Sequence, residues 1–248
     1  MKQKPLNRDT IKYIAIITMT LNHIGYIFLK PGSLPATALI DIGYFTAPVM
    51  CFFLVEGYRY TRSRKRYGLR LALFALLSEI PYCLAFSKAY TEVDTIAFCG
   101  FNMIFTLFLC FLVLLVRDHV RSGTVKTVVI VLLFILSTGS DWGVLAPAFT
   151  LLFAWAEGSE KKLKKSFWIA AGLFILSRFY IGADLLSTVF IFLYSLGGAI
   201  GVLIAGFVIV YLYNGKRTEK GRQFSKWFFY FFYPVHLLIL GLIRLSLL

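Results

Sequence analysis

Long apolar runs separated by short clusters of lysine and arginine constrain this chain more than any other feature of its sequence. A helix needs about 20 mainly apolar residues to cross the roughly 30 Å hydrocarbon core of a bilayer. Nine stretches meet this requirement loosely. Only 15% of the 248 residues are charged and 59% are hydrophobic, whereas soluble domains carry about 25% charged residues. The solvent around most of the chain is therefore predicted to be lipid.

The sequence predicts an all-α fold: a polytopic membrane bundle of about nine transmembrane helices, forming a single domain over residues 1–248. Eight or ten helices are open alternatives. The eighth stretch is long, and its glycines Gly197, Gly198 and Gly201 predict a bend or break. The nine predicted spans are 10–29, 40–58, 68–87, 100–117, 125–138, 142–157, 167–181, 186–213 and 227–247.

The basic residues alternate across the connections of this arrangement, as the positive-inside rule requires. Of the 26 lysines and arginines, 22 fall in the amino-terminal segment and in the second, fourth, sixth and eighth connections. The opposite side receives only Lys30, Lys88, Arg178 and Arg244. We therefore expect the amino terminus in the cytoplasm and the carboxyl terminus outside.

This topology also accounts for the formal net charge of +14. A nucleic-acid partner would need the basic residues on one folded surface, and here they are distributed over separate connections, so none is expected. The four cysteines, Cys51, Cys83, Cys99 and Cys110, lie in or beside apolar runs without CxxC or Cys/His metal spacing. We expect reduced packing residues and no metal site.

Ionisable residues inside a span cost at least ~2.5–3.5 kcal/mol to insert, and they usually carry function. His23 lies in the first predicted span, and Lys12 precedes it by eleven residues. Eleven steps of about 100° place both side chains on one helix face, roughly 16 Å apart. This pattern suits a ligand whose anionic end is held by the lysine while its reactive end reaches the histidine. A topological anchor and a structural hydrogen bond are the simpler interpretations.

Two glutamates fall in the second and third predicted spans. Glu56 ends the second span near Arg59, and pairing with an arginine is its simpler interpretation. Glu79 lies near the middle of the third span, two residues before Pro81. A buried carboxyl must pair or stay protonated, so Glu79 could orient or deprotonate a histidine, or bind a cation from another helix.

Polar residues also mark the predicted outer side and the last span. Asn102 and Asp141 begin the fourth and sixth spans, and Arg178 lies at the outer end of the seventh. His236 follows Pro234 in the last span, about 14 Å from the cytoplasmic side. Two intramembrane histidines would allow haem ligation, but no second pair or attachment motif supports it.

Several short segments, in their order and spacing, resemble the TraX family of bacterial membrane proteins over nearly the whole chain. The founding member of that family is associated with acetylation of the pilin amino terminus. The family is similar in turn to larger membrane acyltransferases that modify surface sugars, where a basic residue, ten spacers and a histidine occupy the first helix. Lys12 and His23 have that spacing. The segments are KYIA at 12–15, NHIG at 22–25, FLVEGY at 53–58, LSEIPY at 77–82, and 102–107, 141–145, 211–216 and 232–238.

The resemblance implies a multi-pass enzyme of the bacterial cytoplasmic membrane that transfers an acyl group from acyl-CoA, with acetyl-CoA as co-substrate. The acceptor would be a hydroxyl or amine of the cell envelope or beyond it. His23 is expected to be the base. The other implied roles are catalytic for Glu79 and Asn102, coenzyme-binding for Lys12, Arg59, Arg62 and Glu56, and acceptor-side for Asp141, Arg178 and His236.

One departure from the pattern concerns the residue before the histidine. Related chains often carry an aspartate there, and this chain has Asn22, which cannot ionise. If that aspartate serves as a charge partner in related chains, the role is absent from this chain or is taken over by Glu79. A small proton-coupled transporter or flippase and a non-catalytic assembly partner are the alternative functions. The acceptor is open among pilin, a surface polysaccharide, a lipid-linked sugar and a small molecule.

Overall fold

The chain folds into helices throughout the part that the structure, a computed structural model, describes, which is residues 4–218 and 221–247. No strand occurs in these two ranges, and the predicted all-α class is confirmed. The helices are α1 (Arg8–Phe28), α2 (Leu34–Gly43), α3 (Thr46–Tyr60), α4 (Arg64–Thr91), α5 (Met103–His119), α6 (Gly123–Ser137), α7 (Leu145–Trp155), α8 (Glu160–Arg178), α9 (Leu185–Phe207), which continues as a π-helical turn (Val208–Leu212), and α10 (Arg222–Ser246).

Each predicted span corresponds to a helical stretch, and two differ in detail. The second span consists of two helices, α2 and α3, because the chain turns at Tyr44 and Phe45 between them. The sixth begins only at α7, because residues 141–144 form turns. In the described ranges, five helical stretches are long and apolar enough to cross a membrane: Arg8–Phe28, Leu34–Tyr60, Arg64–Thr91, Leu185–Leu212 and Gln223–Ser246.

The predicted break at Gly197, Gly198 and Gly201 is wrong, because α9 runs through all three without interruption; the alternative of a bend stays a prediction. A Cβ atom at Gly201 would lie 2.7 Å from the carbonyl oxygen of Asp41 and 3.0 Å from the backbone nitrogen of Phe45. No side chain fits at that distance. Glycine here allows two helix backbones to pack closely, as small residues do in membrane bundles.

Hydrogen-bonding side chains mark where most helices begin. Each accepts a hydrogen bond from a backbone N–H of the first turn, which would otherwise have no partner. These caps explain why the helices start at a polar residue near each apolar run rather than at the first apolar residue of the run. The capping residues are Asn7, Ser33, Ser63, Asn102, Ser122, Ser159 and Asp184.

The helices form two compact units, each assembled from separate parts of the chain. The first unit contains the described residues up to Met50 and those of Trp155–Arg222; in it α1 packs on α2, α2 on α9, and α8 on α9. The second contains Cys51–Ala154 and the described part of Gln223–Leu248; in it α4 packs on α5 and α5 on α6. The single domain over 1–248 stays a prediction.

Arg244 in α10 binds the second unit together through backbone carbonyls. Its side chain is buried, and Nε donates to the carbonyl oxygen of Leu84 at 3.1 Å. Nη1 and Nη2 donate to the carbonyl oxygens of Asp94 and Thr95 at 2.8 and 3.0 Å. These bonds tie α10 to α4 and to the connection after it, and they satisfy the guanidinium in a place where unpaired polar groups are costly.

Replacing Arg244 with methionine is expected to destabilise the protein by about 2–3 kcal/mol, because three carbonyls lose charge-assisted donors. The measurement is thermal unfolding of the purified full-length protein in detergent. Lys88→Met is the control, since Lys88 makes an exposed ion pair of 2.8 Å with Asp94, a type worth at most about 1 kcal/mol. Equal losses in the two variants would contradict the role given to Arg244.

Candidate functional site

The first helix carries the pair of residues with the predicted spacing. Ile11, Ala15, Met19 and His23 recur every four residues and are all buried, so His23 continues the packed stripe of α1 rather than facing outward. Its exposure is 6%. Lys12 is half-buried in the first turns of the same helix, about 16 Å away along the axis. The two residues thus share one continuous, rigid element of the first unit.

The amino-terminal end of α1 is fixed to the chain that follows α9. Asp9 is buried, and its Oδ2 accepts a hydrogen bond from the backbone N–H of Thr218 at 2.9 Å. Lys4 Nζ donates to the carbonyl oxygen of Val210 at 2.6 Å. Leu6 forms an isolated parallel bridge with Tyr213. The segment around Lys12 is therefore held in place, by contacts that no local sequence pattern indicates.

A cavity lined by cationic side chains lies at the connection between α3 and α4 in the second unit. We call it the basic pocket. Its volume is about 580 Å³. Arg62 and Arg66 are exposed at its rim, whereas Arg70 and Lys226 are half-buried. Arg70 Nε is buried and has no hydrogen-bond acceptor among the described residues. The residues that line the pocket are Thr61, Arg62, Ser63, Arg66, Arg70 and Lys226.

Glu56 and Arg59, also predicted to bind the coenzyme, lie on α3 and do not line the basic pocket. Arg59 is exposed, and its guanidinium carbon lies 5.4 Å from the ring centroid of Tyr60. Glu56 is half-buried one turn earlier. Of the predicted coenzyme-binding residues in this unit, only Arg62 belongs to the cavity.

Asn102 and Glu79 contact each other directly in the second unit. Asn102 Nδ2 donates to Glu79 Oε2 at 2.6 Å and to the carbonyl oxygen of Ala75 at 2.8 Å. Asn102 Oδ1 caps α5 by accepting from the N–H groups of Ile104 and Phe105 at 3.0 and 3.2 Å. All hydrogens of the amide are therefore in use, which gives Asn102 a positioning role. Its predicted part in catalysis stays a prediction.

A pairing of two connections holds this contact in place. The N–H of Phe101 donates to the carbonyl oxygen of Gly139 at 2.9 Å, and the N–H of Asp141 donates to the carbonyl oxygen of Phe101 at 2.8 Å. Thr106 Oγ1 donates to the carbonyl oxygen of Asp141 at 2.6 Å. Asp141 is half-buried in the connection before α7, and burial raises the pKa of its carboxyl to about 6.

His236 is buried on α10 beside aromatic rings of its own helix. Its ring stacks on Phe232 with centroids 4.8 Å apart and meets Tyr233 edge-on at 5.6 Å. His236 Nδ1 lies 2.8 Å from the carbonyl oxygen of Phe232, where a protonated Nδ1 donates. Tyr233 Oη accepts from the N–H of Met103 at 3.2 Å, which links α10 to the start of α5.

Arg178 ends α8 in the first unit and is surrounded by aromatic side chains. Its Nη1 donates to Tyr44 Oη. The guanidinium carbon lies 4.9 Å from the ring centroid of Tyr44 and 4.8 Å from that of Tyr194. Such stacking on tyrosine faces is favourable for a guanidinium that has left bulk water.

The predicted site residues are thus distributed over both units. The first holds Lys12, His23 and Arg178; the second holds the other seven. Among the described residues, no three His, Cys, Asp or Glu side chains lie close enough to hold a metal ion.

Arg62 is predicted from the sequence as a coenzyme-binding residue, whereas the other three cations of the basic pocket, Arg66, Arg70 and Lys226, were missed. Arg66 and Arg70 are four residues apart, which places them on one face of the start of α4, and Arg62 lies in the connection just before that helix. This four-residue spacing can be read from the sequence alone. Lys226, from α10, could only be found in the fold, because it is 156 positions beyond Arg70.

Fold and site together define a polytopic helical membrane protein with buried polar clusters and a basic pocket near helix ends. The chain belongs to the TraX family: the model described as TraX protein matches residues 7–244. The resemblance predicted from the sequence is confirmed.

Two curated proteins are similar to this chain. A probable fimbrial assembly protein FimC, serogroup H1, of Dichelobacter nodosus is 33% identical over 240 residues, which are 93% of this chain and 92% of that protein. An uncharacterised protein of Rickettsia prowazekii is 27% identical over 170 residues, 66% of this chain and 61% of that protein. No solved structure matches the chain.

Asn102→Asp is expected to destabilise the second unit by about 2 kcal/mol. Aspartate caps a helix as well as asparagine does, but it replaces the Nδ2 donor with an oxygen that faces Glu79 and the carbonyl of Ala75. The measurement is thermal unfolding in detergent, with the double variant Asn102→Asp/Glu79→Gln as the control. A glutamine donor at position 79 should restore part of the loss, and a double variant no more stable than Asn102→Asp would contradict the assigned contact.

Proposed function

We propose that this protein is a membrane-embedded acyltransferase that takes an acyl group, most simply acetyl, from cytoplasmic acyl-CoA. The acceptor is a hydroxyl or amine of the cell envelope or beyond it. The basic pocket carries this proposal. Positive-inside topology alone accounts for basic connections, but it does not account for four cationic side chains from distant parts of the chain that line one open cavity.

The pocket suits the phosphates of coenzyme A. Arg62, Arg66 and Arg70 present guanidinium groups, which bind phosphate oxygens in a planar, bidentate way, and Lys226 adds a point charge. The buried Nε of Arg70, without an acceptor among the described residues, is a donor that a phosphate oxygen would satisfy. Lys12 is a further cation near the cytoplasmic end of α1 under the predicted topology.

His23 is the proposed general base. It takes the proton of the acceptor hydroxyl or amine as that group attacks the thioester carbonyl carbon. A new C–O or C–N bond forms, the C–S bond breaks, and the departing coenzyme A thiolate takes up a proton. Imidazole suits this step because it has one ring nitrogen that can accept a proton while the other can be oriented by a hydrogen bond.

The family and the relatives support the setting of this chemistry. One relative is named as a fimbrial assembly protein, which favours an acceptor at the cell surface. The distribution of basic residues supports a bacterial cytoplasmic membrane with the amino terminus inside and the carboxyl terminus outside.

His23→Gln is expected to lower the rate of acyl transfer at least about a hundredfold, because general-base catalysis typically contributes 10²–10⁴. The measurement is coenzyme A release from acetyl-CoA by the purified full-length protein, in the presence of cell-envelope extract. His119→Gln is the control, since His119 lies at the end of α5 and contacts Arg64 at 3.1 Å. Full coenzyme A release by His23→Gln would contradict the proposal. So would a parent protein that releases no coenzyme A.

The basic pocket is tested by its effect on KM. Arg66→Ser is expected to raise the KM for acetyl-CoA about tenfold, the equivalent of about 1.4 kcal/mol of lost phosphate binding. Arg121→Ser removes the same charge from an exposed position outside the pocket and should leave KM nearly unchanged. If the two substitutions raise KM equally, acetyl-CoA binding depends only on the overall positive charge of the protein, and the pocket assignment is overturned.

A further inference from the structure

The four cysteines all belong to the second unit, and the fold divides them into two pairs. The thiol of Cys83 lies within interaction range of the thiol of Cys99, and that of Cys51 within range of that of Cys110. All four are free thiols. Cys51 and Cys110 are 0% exposed, in the middle of predicted spans, whereas Cys99 is half-buried in the connection between α4 and α5. The two pairs therefore differ in their access to the aqueous phase.

The connection after α4 folds back along that helix and is held to it at two points. Ser87 Oγ accepts a hydrogen bond from the N–H of Ala97 at 2.8 Å. Two turns closer to the start of α4, about 12 Å away along the axis, Glu79 Oε2 accepts from the N–H of Asn102 at 3.3 Å. The chain from 97 to 102 therefore follows the surface of α4 in the antiparallel direction.

The two cysteines meet between these two points. Cys83 lies one turn before Ser87, about 6 Å along α4, and Cys99 lies two residues after Ala97, about 6–7 Å along an extended chain. Phe98, which separates Ala97 from Cys99, is 64% exposed. Successive side chains of an extended chain point to opposite sides, so Cys99 is directed toward α4. The register thus brings Cys99 to the level of Cys83, in agreement with the interaction of their thiols.

The predicted topology places this pair near the outer side of the membrane. α4 follows the basic second connection, which is predicted to be cytoplasmic, so α4 ends outside. Residues 92–101 then form the connection on that side. The outer side of a bacterial cytoplasmic membrane is an oxidising environment, in which disulfides form and persist. The thiol of Cys99 is therefore reached from the side where oxidation is favoured.

We infer that Cys83 and Cys99 form a disulfide that ties the outer connection to α4. The S–S bond forms by thiol–disulfide exchange: the two protons and two electrons of the cysteines pass to the disulfide of a partner protein, which leaves as two thiols. Oxidation also removes the S–H group that Cys83 donates to Glu79 Oε1 at 3.8 Å. This inference goes beyond the acyltransferase proposal and does not depend on it, but it rests on the predicted orientation in the membrane.

The test counts the cysteines that are oxidised in the full-length protein. Intact cells are quenched in acid, the protein is denatured, and its free thiols are blocked with N-ethylmaleimide. Disulfides are then reduced, and the released thiols are labelled with a maleimide that carries a polyethylene glycol chain. We expect two labelled thiols per chain. Mass spectrometry of the unreduced protein should show one peptide pair, linked through Cys83 and Cys99.

The second pair of cysteines provides the matched control. Cys51→Ala/Cys110→Ala should keep both labelled thiols, and Cys83→Ala/Cys99→Ala should lose both. Because the thiols are counted on denatured protein, the result does not depend on the stability of either variant. Reduction should also lower the apparent Tm of the purified parent protein by about 5–10 °C, since it releases a closed loop in the unfolded chain. The Tm of Cys83→Ala/Cys99→Ala should not respond to reduction.

Sealed membrane vesicles test the side from which the pair is oxidised. After reduction and washing, oxidised glutathione is added, which is too highly charged to cross the bilayer. The bond should form again in right-side-out vesicles and stay reduced in inside-out vesicles.

Three results would overturn the inference. They are four free thiols per chain in the quenched cells, labelled thiols that persist in Cys83→Ala/Cys99→Ala, and re-formation of the bond in inside-out vesicles alone. None of these measurements involves acetyl-CoA, so their failure leaves the acyltransferase proposal standing if coenzyme A release depends on His23. A disulfide in a protein that releases no coenzyme A would contradict only the proposed enzyme.

Discussion

A polar group inside a bilayer must find its partners within the protein, and the described structure depends on this constraint. Arg244 satisfies it with three backbone carbonyls, Asn102 with Glu79 and a helix start, and Arg178 with tyrosine faces and a tyrosine hydroxyl. Each solution joins elements that are distant in sequence. The polar residues that lipid would exclude are therefore the ones that fix the positions of helices, because hydrophobic contacts are weakly specific in an apolar solvent.

The helical organisation was largely predictable from the sequence, because hydrophobicity along the chain reports directly on membrane insertion. Each predicted span is helical in the structure. The errors arose where tertiary packing decides the outcome. Gly197, Gly198 and Gly201 signalled a break by composition, yet α9 is continuous through them, and Gly201 allows its close approach to the backbone at the end of α2. The turn at Tyr44 and Phe45 lies inside a predicted span, although Gly43 directly before it and Pro48 in the first turn of α3 are residues that favour the ends and starts of helices.

The candidate site was predictable only in part. The spacing of Lys12 and His23 on α1 could be predicted, since it depends on one helix. The spacing of Arg66 and Arg70 on one face of α4 could be predicted from the sequence, whereas Lys226 comes from the other end of the chain. The contact of Arg178 with Tyr44 joins positions 134 residues apart. Pairings of that kind follow from the three-dimensional packing of helices, and a single sequence does not encode them in any local pattern.

The proposed function assigns the basic pocket to the coenzyme, because its four cations supply the charge that a phosphate-bearing ligand requires. This assignment agrees with the predicted topology, in which acyl-CoA is available on the basic, cytoplasmic side and the acceptor belongs to the cell envelope. His23, buried on α1 in the first unit, is the proposed general base.

The sidedness of acetyl-CoA use in sealed membrane vesicles tests this account most directly. Inside-out vesicles expose the basic connections, so they should release coenzyme A from added acetyl-CoA, whereas sealed right-side-out vesicles should do so only after permeabilisation, because acetyl-CoA is too highly charged to cross the bilayer. Equal coenzyme A release by sealed inside-out and sealed right-side-out vesicles would contradict this account. So would the absence of coenzyme A release from both preparations, before and after permeabilisation.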